Sequence, residues 1–156
     1  MIDIEAALEE LGVPSRQLAQ VAPAAATPKV VTTEVHPLAA NWERWKDRFG
    51  EAMAKDGFFT VPQLERLIFS NQAQLWCGRD AAIVTKIENY EGGARALQAI
   101  WMAGDLAEAV EMSPGIESFG RSMGCTLFLI EGRPGWVKLL KAKGYKPWSM
   151  TVGKAI

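Results

Sequence analysis

A change of period in the middle of the chain constrains its fold more than any other feature. From Pro37 onward the large apolar side chains recur at helical spacing. Trp42, Trp45, Phe49 and Met53 follow one another on one face, and Glu43, Arg44, Lys46, Asp47 and Arg48 fill the remainder. Such a stripe is the buried side of an amphipathic helix, and its aromatics read as core rather than as a ligand box. From Gln72 the spacing shortens. Gln72 to Gly78 and Ala81 to Tyr90 read as two strands of a hairpin turning at Gly78-Arg79-Asp80. After a turn at Glu91-Gly92-Gly93, Ala94 to Met102 is a third strand, apolar enough to lie centrally in a sheet. The fold class this predicts is α/β: a mixed, mostly antiparallel sheet flanked by helices.

The flanking segments extend the pattern. Lys29 to Val35 is β-rich and reads as a strand. Gly57 ends the aromatic helix, and Thr60 with Gln63 makes a capping pair for the next one. That second helix carries Pro62 in its first turn and Leu64, Leu67, Ile68 and Phe69 facing inward. Ala103-Gly104-Asp105 breaks the third strand, and Asp105 to Met112 reads as a short helical piece. Ser113-Pro114 has the chemistry of a helix start, with Ile116, Phe119 and Met123 on one face and Gly124 closing it. Cys125 to Glu131 reads as a buried strand. Gly132-Arg133-Pro134-Gly135 opens a helix with Trp136, Leu139 and Leu140 inside and Gly144 at its end, and Tyr145 to Ala155 returns as a strand in which Trp148, Met150 and Val152 alternate.

Residues 1–28 read as an arm and linker, and 29–156 as the domain. Ile4, Leu8 and Leu11 recur at helical spacing among Glu5, Glu9 and Glu10, a second turn carries Leu18 and Val21, and Ala22 to Pro28 has linker composition. These five apolar residues are the candidate partner-binding anchors, suited to helix-in-groove contact.

Composition excludes several classes of function. With 17 Lys+Arg against 18 Asp+Glu, the net charge of −1 gives no broad attraction to nucleic acid or an anionic membrane. Lys138, Lys141, Lys143 and Lys146 gather near Tyr145 and Trp148, but cations at a helix C-terminus are expected from the helix dipole alone. Cys77, Cys125 and the single His36 cannot supply a Cys/His metal site, and His36 beside Pro37 reads as a loop residue rather than a catalytic one. No apolar run approaches a membrane span, and the acidic N-terminus is unlike a signal peptide.

The order strand, two helices, three antiparallel strands, helix, strand, helix, strand resembles the Gcn5-related N-acetyltransferases, the GNAT family. The ending from Cys125-Thr-Leu-Phe-Leu-Ile-Glu-Gly-Arg-Pro-Gly-Trp to Lys-Gly-Tyr145-Lys resembles that family's closing strand, helix and glycine-aromatic turn. The resemblance implies two further features. One is a loop of the form Arg/Gln-x-x-Gly-x-Gly/Ala, whose N–H groups hold the diphosphate of acetyl-CoA. Met102 to Glu117 contains no such motif, and Asp105, Glu108 and Glu111 place negative charge there. The other is a tyrosine four residues before the last helix's glycine, where this chain has Leu140. Both departures imply a scaffold kept without its usual cofactor machinery: no catalytic, cofactor-binding or metal residue is expected, and no cofactor.

Glu131-Gly-Arg-Pro-Gly-Trp-Val-Lys-Leu-Leu140 also resembles small GNAT-like proteins of tailed-phage structural gene clusters. That resemblance implies a non-enzymatic virion component, internal or near the head–tail connector. Its partners are then portal or other virion subunits in an oligomeric particle, and it resides in the host cytoplasm during assembly and afterwards in the virion. The alternative is an acetyl-CoA-dependent N-acyltransferase. It implies acyl transfer where the fourth and fifth family strands part, with Glu88 as a base through water and Arg121, Arg133 and Lys138 as phosphate contacts.

Overall fold

The computed structural model describes residues 38–55, 57–132, 134–148 and 153–154. The arm with Ile4, Leu8, Leu11, Leu18 and Val21, the expected strand Lys29 to Val35, and His36 lie outside the described residues, as do Arg133, Met150 and Val152.

Helix α1 spans Leu38–Met53 and buries Trp42, Trp45, Phe49 and Met53, the four residues of the aromatic stripe. Trp42 and Phe49 stack with ring centroids 6.2 Å apart, and the Trp42 indole N–H donates to Glu65 across the helix pair at 3.0 Å. Helix α2, Val61–Phe69, starts where Thr60 accepts from the Gln63 N–H, so the expected cap is present. Leu64 and Ile68 are buried, whereas Phe69 at the last position is 46% exposed. Helical spacing carries it past the contact face that Leu64 and Ile68 define.

Strands β1 (Gln74–Cys77), β2 (Ala81–Asn89) and β3 (Arg95–Gly104) form an antiparallel meander, and β4 (Leu127–Ile130) joins β3 in parallel. The sheet order β1-β2-β3-β4 makes β3 an interior strand, as its apolar run implies. The strand continues through Ala103 and Gly104, because both pair with β2 at the hairpin mouth. Helix α3 spans Leu106–Ser122 without a break. The expected start at Ser113-Pro114 is therefore corrected: Asp105 is the cap, and Pro114 sits inside the helix. Ser113 is buried there and its hydroxyl turns back onto the Ala109 carbonyl at 3.3 Å, a local bond that accompanies the ladder donor lost at proline.

Helix α4, Pro134–Lys141, follows β4. Leu140 is buried and Trp136 half-buried, but Leu139 is 47% exposed, so the inner face is narrower than its composition implies. Met123 is likewise exposed beyond the end of α3. Gly124 and Gly144 close their helices with φ of +76° and +86°. Tyr145 to Trp148 is irregular rather than strand: Pro147 has no N–H to give a ladder, and the Tyr145 ring turns inward.

The layers sit on opposite faces of the sheet. Helices α1 and α2 pack with Ala82, Val84 and Ala103, while α3 packs with Ala81, Ile83, Leu97 and Ala99. Among the described residues no helix is long and apolar enough to cross a membrane.

Candidate functional site

Ile100 is an extra residue in β3. Opposite it the β2 register steps from Val84↔Trp101 to Thr85↔Ala99, a β-bulge. Leu97 and Ala99 face α3; after the bulge it is Met102 that faces α3, while Ile100 and Trp101 both turn toward α1 and α2. A bulge also bends its strand and sharpens the local twist. The pairing of β3 with β4 stops at that point, at Ala99↔Ile130. From Ile100 to Gly104, β3 runs on with no partner on its β4 side among the described residues.

The parted strands leave a small apolar cleft, open to solvent on one side. Ala99, Met102, Phe128 and Ile130 line it from the sheet, Ala109, Val110 and Ser113 from α3, and Trp136 and Leu140 from α4. Gly132 makes room for one wall: a Cβ there would lie 2.2 Å from the Trp136 ring. Ser113 carries the one hydroxyl in this lining, and its side chain is buried. Near it the Tyr145 phenol donates to Glu117 at 2.6 Å and packs edge-on against Phe128. Glu117 reaches outward to Arg121 at 3.7 Å. Tyr145, Glu117 and Arg121 thus form a polar chain that leads from beside Ser113 toward solvent. Sequence reasoning noted Tyr145 and Ser113 separately. Their meeting depends on how α3 and the segment after α4 pack, which no local spacing signals.

The start of α3 is closed rather than open. Only Asp105 separates the end of β3 from the first residue of the helix. Its side chain accepts from the Glu108 N–H at 2.8 Å, and its own N–H donates to the Asp80 carbonyl at 2.8 Å. The Glu108 carboxylate in turn accepts from the N–H groups of Arg79 and Asp80, 2.6 Å each, and so holds the β1–β2 turn. Of the four N–H groups that a helix start leaves without an intrahelical partner, two are taken and those of Leu106 and Ala107 remain. Two carboxylates three residues apart occupy the place where a diphosphate would be held, and no loop precedes the helix to supply further donors. The sequence placed this region ahead of Pro114; it lies at Asp105 to Glu108, while Glu111 is exposed farther along the helix. The residues present do not fit the diphosphate of a coenzyme A ester.

Of the other residues expected for the acyltransferase alternative, Glu88, Arg121 and Lys138 do not line the cleft, and Arg133 lies outside the described residues. Glu88 alternates with Ile87 and lies on the face opposite α3, paired with Lys86 at 2.7 Å. Arg121 is at the far end of α3, about 22 Å from its start at 1.5 Å per residue. Lys138 is exposed on α4. Leu140, at the position of the family's tyrosine, is an apolar wall of the cleft. Lys146 lies over Trp148 at 5.8 Å, but Tyr145 is committed to Glu117 and offers no ring for base stacking. Among the described residues no His/Cys/Asp/Glu group is arranged to hold a metal ion.

Burial pushes the Cys77 thiol up from 9.0 to about 11. Burial, and then the bond to Glu117, also moves the Tyr145 phenol upward. Folded, the thiol keeps a proton that the unfolded chain releases from about pH 9, and the phenol one released from about pH 10, so stability falls as pH rises from 9 toward 11. Discounted for partial exposure, the thiol's share is about 1 kcal/mol. Urea melts at pH 8 and 10.5 are expected to show this loss, and Cys77→Ala to reduce it.

A bulged, splayed four-strand sheet with helices on both faces is the fold of the Gcn5-related N-acetyltransferases. An acetyltransferase from Trypanosoma brucei is 9% identical with a TM-score of 0.53, over 75% of this chain and 94% of that one. Glucosamine-6-phosphate N-acetyltransferase from Arabidopsis thaliana is 12% identical with a TM-score of 0.54, over 74% and 92%. Ribosomal-protein-alanine N-acetyltransferase from Brucella melitensis is 13% identical with a TM-score of 0.51, over 72% and 94%. No protein-family model and no curated protein matches the sequence. Identities this low establish the architecture alone.

Proposed function

We propose that the chain is an N-acyltransferase that works in the cleft between β3 and β4. The observation that carries this reading is the cleft itself: an apolar gap opening where the strands part, with one buried hydroxyl among its walls. The acetyltransferases that share the fold support it. An apolar enclosure keeps water from the thioester and positions the acyl group against an incoming amine. The N–C bond forms and the C–S bond breaks. The Ser113 hydroxyl, whose own proton is on the Ala109 carbonyl, accepts from the amine N–H and positions it; the amine's proton leaves to solvent at the open side, and the departing thiolate takes a proton from solvent. The raised phenol keeps Tyr145 protonated at neutral pH, so it does not act as the base.

The test is thiol release from an acyl thioester in the presence of a panel of primary amines. Amine-dependent release is expected, with a fall of about 10²-fold in Ser113→Ala. Val110→Trp, at the half-buried lip, is expected to block release while leaving the circular dichroism spectrum unchanged. No release from any amine, with the chain folded, overturns the reading.

A second reading is favoured by the closed start of α3: a scaffold that has exchanged its diphosphate site for a carboxylate-held turn and acts by contact, as a virion component near the portal or inside the capsid. The candidate anchors Ile4, Leu8, Leu11, Leu18 and Val21 belong to this reading. Native mass measurement of the full-length chain, alone and with a tailed-phage portal protein, tests it. A monomer that binds no portal overturns it.

A further inference from the structure

We infer that the acyl donor of this cleft is a thioester arm that carries no nucleotide diphosphate, an acyl-pantetheine or a shorter acyl thioester rather than a coenzyme A ester. This rests on the acyltransferase reading and narrows its substrate class. Three observations carry it. Asp105 and Glu108 stand at the start of α3, each already bonded to backbone N–H groups, so an incoming diphosphate meets two carboxylates beside the two N–H groups still open, those of Leu106 and Ala107. Among the described residues the neighbouring cations are engaged: the Arg79 guanidinium is paired with Asp80 at 2.6 Å, and Arg44 is spent on the Arg79 carbonyl. The cleft beside this closed end is lined by apolar side chains, Leu106 and Ala109 of α3 among them. The β3 edge from Ile100 to Gly104, without a partner on its β4 side among the described residues, offers backbone groups to the amides of an extended arm.

The discriminating measurement is calorimetry on the full-length chain with S-acetyl-pantetheine, acetyl-CoA and 3′,5′-ADP as separate probes. Acetyl-pantetheine is expected to bind within about tenfold of acetyl-CoA or tighter, and 3′,5′-ADP to compete with neither. Acetyl-CoA binding more than about tenfold tighter than acetyl-pantetheine overturns the inference and leaves the acyltransferase reading standing. Absence of binding by both thioesters up to about 5 mM removes the acyltransferase reading and the inference with it.

A double variant isolates the two carboxylates. Asp105→Asn keeps the cap and Glu108→Gln keeps an acceptor on the turn, so the fold is retained. The variant is expected to bind acetyl-CoA about tenfold more tightly, with acetyl-pantetheine unchanged. An unchanged ratio of the two affinities overturns the assignment of the carboxylates as the excluding groups.

Discussion

Gly104→Ala is expected to lower stability by about 3–5 kcal/mol, enough to leave the chain largely unfolded in mild urea. Two penalties add at this residue. Its φ is +93°, where an L side chain costs about 1–2 kcal/mol. The new Cβ would also lie 2.0 Å from the Asp80 carbonyl oxygen. That neighbour is backbone, held by the Asp105 N–H and by the pairing of Ala81 with Gly104, so it cannot swing aside as a flexible side chain does. The close approach is what lets the hairpin turn, the end of β3 and the start of α3 meet. Gly92→Ala is the control. Nothing lies within 4 Å of a Cβ there, and its midpoint in urea is expected to stay within about 0.5 kcal/mol of the parent.

Phe49→Ala is expected to cost about 3–5 kcal/mol by the same measurement. The Phe49 ring is fully buried, stacked on Trp42 in the layer between α1 and the sheet. Truncation loses its transfer free energy and leaves a cavity that Trp42, Leu64 and Ile68 cannot fill without leaving their own contacts. Phe58→Ala is the matched comparison: that ring is 82% exposed, and its removal is expected to change stability by less than about 0.5 kcal/mol. A loss confined to Phe49 would show that the aromatic stripe acts as core. Equal effects at both positions would refute that assignment.

The legible parts of the sequence were those fixed by near neighbours. The stripe at 42, 45, 49 and 53, the cap at Thr60, the hairpin turn at 78–80 and the closing glycines at 124 and 144 each depend on spacing over a few residues, and the folded chain uses each of them. Ser113-Pro114 misled because proline favours a helix's first turn yet is tolerated inside when tertiary packing holds the helix. Asp105 carries an equally good cap, and the burial of Ala109 and Met112 on the same helix as Ile116 decides in its favour. Leu139 and Phe69 misled in another way: their composition is apolar, but which apolar residues are covered depends on the neighbouring element.

The candidate site was the least legible feature. The sequence showed that a diphosphate loop and a tyrosine at position 140 are missing, because absence from a motif can be read locally. It did not show the bulge at Ile100, since one extra residue in an apolar run leaves no mark until the register with β2 is known. Nor did it show that Tyr145 reaches Glu117 beside Ser113, a contact between residues far apart in the chain.

By itself, then, the sequence determined the order of the described helices and strands from α1 to α4, because periodicity, caps and turns are properties of short segments. Only the tertiary structure decided where the strands part, that a carboxylate pair closes the helix start, and which hydroxyl faces the gap. Those outcomes follow from register and from packing between elements, and both are set by contacts that local spacing does not record.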